Sequence, residues 1–296
     1  MDQLAVYTQH ISTPLGAVLR ALARVPLSAR TPHHAPSYVF ADKRRSGCFY
    51  VYEDTDGVWI HGFHLTVKNE RYVQVRSPYG YGGPVASTES AAFLHKAWKA
   101  WEEWCADLAV SGESMLFHPL AENWRVFNGQ AMLTDRQTVW LDLSIPFHYE
   151  PRTDAVLSKA EGLTVAPLGV ENFGALYRAE MQRKAVDEFY LFSDEYIHAV
   201  GGTLLGCRDE EGKLLAGALF LDDGLTAEYH LAAATDAGRA SGAPTRLLHE
   251  AALHFKTVGN RRLHLGGGRT AGDSLFKFKR GFSPLRGELR TAEVER

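Results

Sequence analysis

Two segments of this 296-residue chain carry residues in patterns suited to chemistry. The first is RLHLGGGRTAGDSLFKFKRGFSP, from Arg262 to Pro284. Alternating residues lead into three glycines, and Asp273 is placed to cap a short helix bearing Lys277, Lys279 and Arg280 among Leu275, Phe276, Phe278 and Phe282. A strand ending on flexible backbone before a cationic, aromatic helix suits an anionic or carbonyl-bearing substrate. The second is the strand TAEYHL, Thr226 to Leu231. Period-two alternation places Glu228 and His230 on one face and Tyr229 and Leu231 on the other. His230 could take a proton from an attacking amine, with Glu228 orienting or replacing it; a hydrogen-bonded structural histidine is the bland alternative.

Behind that strand, Arg239-Ala-Ser-Gly242-Ala243-Pro244 leads into an amphipathic helix. Glycine allows close backbone approach, proline suits a first helical turn, and a helix start offers N–H groups to a phosphate. Arg239 adds a fixed positive charge. The loop Ser77-Pro-Tyr-Gly-Tyr-Gly-Gly-Pro84 holds no cation. Its Tyr79 and Tyr81 suit a sugar, a base or a peptide, or else pack the turn. His33-His34 and His61-x-x-His64 lack the carboxylate or cysteine company of a metal site, so none is assigned. No P-loop follows Gly266-Gly-Gly268. Cys48, Cys105 and Cys207 are widely spaced and read as buried, reduced thiols.

The elements that must hold these residues occur twice, at an offset of about 155–160 residues. Helical signals span Pro14–Val25 and Glu171–Val186. Two extended runs follow in each half, around Asp56-Gly57 and around Glu211-Gly212. A third run, a Gly/Pro loop, an amphipathic helix (Ala91–Leu108 and Pro244–Val258) and a further strand complete each half. Trp98, Trp101 and Trp104 fall largely on one face of the first amphipathic helix and read as core. The prediction is a mixed α/β (α+β) protein of two tandem lobes, residues 1–147 and 148–296, each a mixed sheet flanked by helices, with a cleft between or beside them.

Hydrophobic content of 45%, charged content of 23% and a net charge of −3 describe a globular protein without a global basic field. There is no basic leader and no apolar run of about 18 residues. The expectation is a cytoplasmic protein with no membrane span and no DNA partner.

In its second half the sequence resembles the FemAB/FemX-like (BioF2-like) branch of the GNAT acyltransferase superfamily. The matching pieces are Tyr177-x-x-x-Met181-x-Arg183, Glu195-Tyr196, Glu228-Tyr-His-Leu231, Arg239-x-x-Gly242-Ala, Leu265-Gly-Gly-Gly268 and Asp273 to Phe282. In the first half Ser77–Pro84, Phe117-His-Pro-Leu120 and Thr138–Leu143 also match. The resemblance implies two GNAT-like lobes and transfer of an acyl or aminoacyl group to an amine, forming an amide or peptide bond. It makes Phe278-Lys279 the pair that helps bind substrate and stabilise charge, and Arg183 a contact for the acceptor's phosphates. Tyr229 and Arg280 join the substrate contacts, and Arg239, Gly242, Ala243 and Pro244 would hold a donor pyrophosphate. No permanently bound cofactor is implied; the co-substrate is aminoacyl-tRNA or acyl-CoA, and the acceptor a small-molecule, peptide or peptidoglycan-like amine. The family's acidic Arg-Gly-Pro-x-x-Asp motif is absent, and so is its long charged coiled coil. Alternatives are an acyl-CoA-dependent N-acetyltransferase of a small molecule and an inactive GNAT-like binding protein.

Overall fold

A computed structural model describes residues 12–68 and 71–296. The chain divides into two compact units, Met1–Asp135 with Glu288–Arg296, and Arg136–Gly287. A boundary at residue 147 with the whole remainder in a second lobe is therefore not what the contacts give. The reason lies in the strands that close each sheet.

In the first unit, β1 (Ser46–Glu53), β2 (Val58–Lys68) and β3 (Arg71–Arg76) form an antiparallel meander. The Asp56-Gly57 turn joins its first pair, and β4 (Gly83–Ala86) lies beside β2. Next to β3 comes the parallel β5 (Gly112–Leu116), and β12 (Arg286–Glu295) pairs antiparallel with β5. Helix α1 (Leu15–Arg24) buries Val18, Ala21 and Leu22 against this sheet's Phe49, Ile60 and Val85. Helix α2 (Pro36–Val39) is a single turn, whereas α3 (Ala91–Asp107) lays Phe93, Ala97, Trp98 and Trp101 into the core with Trp59, Phe63 and Met115. The tryptophans at helical spacing are core, as their periodicity requires.

The second unit repeats the scheme. Strands β7 (Thr164–Pro167), β8 (Thr203–Arg208), β9 (Leu214–Asp222) and β10 (Thr226–Ala234) run antiparallel. Strand β11 (Arg262–Gly267) is parallel to β10, and β6 (Met132–Asp142) closes antiparallel on β11. Thus β6 follows β5 in sequence but pairs with β11, and β12 follows β11 but pairs with β5. Each parallel strand receives its antiparallel neighbour from the far side of the duplication, which is why the final residues return to the first unit.

Helices α4 (Pro151–Lys159), α5 (Val170–Arg183), α6 (Asp194–Val200), α7 (Asp236–Ser241), α8 (Ala243–Thr257) and α9 (Ser274–Arg280) complete this unit. The apolar stripe Leu247, Leu248, Ala251, Ala252 and Phe255 of α8 packs on Phe220, Leu263, Leu265 and Phe282. At the end of α8, Gly259 adopts φ +99°, the left-handed conformation glycine tolerates at a helix end. Among the described residues no helix is long and apolar enough to cross a membrane.

Candidate active site

The site assembles where β10 and β11 part. Their parallel pairing covers only Thr226–Glu228 against Arg262–His264. Both strands then bulge: β10 gains one residue between Tyr229 and Leu231 against β9, and β11 one between His264 and Gly266 against β6. A bulge inserts an extra residue, twists the strand and re-aims side chains. On β10 the extra residue is His230, which corrects the alternation expected from sequence. Tyr229 shares the core face with Phe220, whereas Leu231, paired with Leu219, shares the face of Glu228. Glu228 and His230 therefore do not form one face in simple register.

Two pairs replace the expected Glu228–His230 couple. Glu228, 2% exposed, lies 2.7 Å through Oε2 from Nδ1 of the fully buried His264, its cross-strand neighbour at the point of divergence. His230 Nε2 lies 2.8 Å from Tyr196 Oη on α6. Tyr196 is held firmly: its ring stacks on Phe192 at 4.2 Å, and its backbone N–H donates to the Ser193 cap. Burial lowers the His230 pKa to about 3 against the opposing pull of Glu228, so the ring is neutral at physiological pH.

Lys279 enters from α9. Its Nζ donates to the Gly267 carbonyl at 2.7 Å and lies 5.8 Å from the Tyr229 ring centroid, within cation–π reach. The residue is 7% exposed, and burial lowers its pKa to about 8, with Asp273 pulling the other way. At neutral pH the amine therefore remains mainly protonated, and it loses its charge only as the pH passes about 8. Tyr229 is itself pushed up by burial and stays a phenol.

Helix α9 is aimed by its N-terminus. The Asp273 carboxylate accepts from the backbone N–H groups of Phe276 (2.8 Å), Arg269 (2.7 Å) and Thr270 (3.2 Å), the cap its sequence position predicts. Gly268 is required there, because a Cβ would fall 2.2 Å from Asp273 Oδ1. Phe278 packs edge-to-face on Phe282 at 5.4 Å. Arg280 turns away to an exposed ion pair with Glu150 at 3.1 Å. Across the glycine run, the Arg269 guanidinium lies 5.7 Å from the Tyr190 ring.

The cations beside α5 form a second cluster around one carboxylate. Glu180, 5% exposed, accepts from Arg183 (2.9 and 3.1 Å), Lys184 (2.8 Å) and Arg239 (3.0 Å). Against the cost of burial these partners bring its pKa to about 2. Arg239 also donates to the Ala234 carbonyl at 2.5 Å and pairs with Asp236. Its segment is no open loop: Thr235 caps α7, which abuts α8 at Gly242 in the left-handed region, φ +80°. A Cβ on Gly242 would fall 2.6 Å from Val156 Cγ1 of α4, and Ala243 is fully buried. A side chain at position 242 is thus excluded, Pro244 is half-buried, and Arg183 and Lys184 keep about half of their side chains exposed.

In the first unit Tyr81 joins a ring cluster that sequence reasoning missed, and Tyr79 lies beside it through its backbone. Tyr38 donates through Oη to the Tyr79 carbonyl, and Tyr81 lies 5.1 Å from His33 and 4.7 Å from His118. His118 Nδ1 accepts from Leu120 N–H at 3.1 Å, placing the proton of a neutral ring on Nε2. The three cysteines are free and buried; burial pushes Cys48 up to about 12 and Cys207 to about 11, and Cys105 is raised as well. None is a thiolate nucleophile at neutral pH.

No protein-family model matches the chain, and no curated protein matches it in sequence. Solved structures do. FemX is similar with a TM-score of 0.66 and 11% identity, over 94% of this chain and 94% of FemX. The C-terminal domain of a protein described as a lysylphosphatidylglycerol synthetase, from Agrobacterium fabrum, gives 0.62 and 16% over 94% and 91%. L-PGS from Bacillus licheniformis gives 0.59 and 12% over 89% and 92%. The chain therefore shares the mixed α/β fold of FemX and of these two other structures.

Proposed function

We propose that this FemX-like chain transfers an acyl or aminoacyl group to an amine, with the reacting carbonyl held where β10 and β11 part. The observation that carries the reading is Lys279: an amine 7% exposed, anchored on Gly267 and facing Tyr229 beside the diverging strands. A buried cation at that place is costly, and it stabilises the negative charge that develops on a carbonyl oxygen under attack. The new C–N bond forms as the donor's C–O or C–S bond breaks. The proton released by the amine ends on the leaving oxygen or sulfur. No step needs an enzyme nucleophile, which agrees with three inert thiols.

Aminoacyl-tRNA is the donor the site favours over acyl-CoA. A pyrophosphate grip needs an open backbone loop at a helix start; here the short helix α7 runs directly into α8 at Gly242, and Arg239 is committed to Glu180, Ala234 and Asp236. Arg183 and Lys184 share Glu180 with Arg239 but are about half exposed, and they would meet the phosphates. Phe278 would sit beside the carbonyl. The test is incubation with charged tRNA and acyl-CoA pools and mixed amines, read by mass spectrometry. The reading expects a new amide with the wild type and none with Lys279→Ala. Full turnover in Lys279→Ala would overturn the assignment, and ligand binding without turnover would make the chain a binding protein.

A further inference from the structure

The Tyr196–His230 pair determines which way the imidazole can act. The β10 bulge carries His230 to α6, where Nε2 and Tyr196 Oη lie 2.8 Å apart. Such a contact holds one hydrogen, on oxygen or on nitrogen. A phenol is the stronger acid and the better donor of the two, and a neutral imidazole nitrogen is the better acceptor, so the hydrogen belongs to Tyr196. A neutral ring has a single N–H, which then resides on Nδ1. The ring is neutral because burial holds its pKa near 3. Tyr196 cannot turn from this bond freely, being 5% exposed, stacked on Phe192 and seated in the capped first turn of α6.

We propose that Tyr196 is a positioning residue that fixes His230 in the Nδ1–H form, so that His230 serves acyl transfer as a hydrogen-bond donor and not as a proton acceptor. The role in transfer rests on the function proposed above; the tautomer does not. With Nε2 accepting from Tyr196 and Nδ1 protonated, the ring has no lone pair with which to take a proton from an amine. This reverses the role that residue type alone suggests for His230. It also agrees with a reaction in which the leaving group carries the amine's proton away.

The experiment is long-range 1H–15N correlation of the histidine side chains at neutral pH, with His230 assigned through His230→Gln. The wild type is expected to show a protonated Nδ1 and an unprotonated Nε2. Tyr196→Phe is expected to move the proton to Nε2, the commoner tautomer in water. A wild-type ring protonated on Nε2, or a tautomer unchanged in Tyr196→Phe, overturns the proposal. If Tyr196→Phe does not fold, the wild-type spectrum still decides. In the transfer assay Tyr196→Phe should lower kcat about tenfold with KM unchanged; a change in KM alone counts against the role in transfer. Absence of transfer with every donor would sink the functional reading while the spectrum still settled the tautomer.

Discussion

Replacing Lys279 by methionine should separate function from stability. The lysine's pKa falls from 10.5 in the unfolded chain to about 8 in the fold because its amine is buried. Below pH 8 both states are protonated, and the difference, at ~1.36 kcal/mol for each pH unit, amounts to about 3 kcal/mol against folding. The folded pKa is the lower one, so between about pH 8 and 10.5 the unfolded state binds more protons and stability rises with pH. Methionine matches the length without the charge. It gives up the hydrogen bond to the Gly267 carbonyl, at about 1–3 kcal/mol if that oxygen is left dry. Lys279→Met should therefore be as stable as the wild type or about 1–2 kcal/mol more so at pH 7. Its transfer rate should be about 10²–10³-fold lower, the scale for removing a donor to a developing oxyanion. Urea unfolding of both proteins from pH 7 to 10.5 measures the energetics, and single-turnover transfer the rate. The wild type's advantage in the alkaline range must appear as a slope that Lys279→Met lacks. A variant that is clearly less stable at pH 7, or a stability difference flat with pH, refutes the reasoning.

Other perturbations probe the scaffold. In the first unit, the fully buried Glu113 carboxylate accepts from Trp101 Nε1 at 3.0 Å and pairs with Arg296, and burial raises its pKa against that pairing. Arg296→Ala should cost about 3–5 kcal/mol in thermal or urea unfolding, and Glu113→Gln in the same chain should recover part of it. His61 is fully buried among Phe63 and Trp101, neither ring nitrogen has a hydrogen-bond partner, and burial lowers its pKa to about 3. Its folded pKa lies below the unfolded 6.5, so stability declines as pH falls below 6.5, by about 2 kcal/mol near pH 5. His61→Leu should flatten that acid limb in a melting series. Gly268→Ala must push the Asp273 carboxylate aside, costing about 1 kcal/mol of cap energy and displacing Lys279. Transfer should fall more than stability does, and unchanged kinetics would show that α9 needs no such cap.

Local signals made much of the fold legible. Asp56-Gly57 and Glu211-Gly212 mark the two hairpins, the stripes of α3 and α8 identify their buried faces, and Asp273 announces α9. The order of elements was visible twice because each helix and hairpin carries its own periodicity. What stayed hidden depends on pairing between distant residues. Nothing local in AEYHLA marks His230 as the extra residue of a bulge, so strict alternation misplaced Leu231. Glu228 meets His264 only because β11 lies parallel beside β10, and Tyr196 meets His230 only through the packing of α6. Arg239 looked like a phosphate ligand since its glycines suggest a loop. Thr235 is a helix-cap residue, however, and Gly238 is small because a Cβ would fall 2.2 Å from the Leu215 carbonyl. The return of β12 to β5 carries no sequence mark at all.

The central claim is that the diverging strands and Lys279 form an acyl-transfer site. The most direct measurement follows labelled amino acid from aminoacyl-tRNA into an amide-bonded product, with and without ribonuclease pretreatment, in the wild type and Lys279→Ala. The account predicts transfer by the wild type alone, abolished by ribonuclease. Labelled product formed equally by Lys279→Ala, or donor and amine bound together with no amide formed, would contradict it.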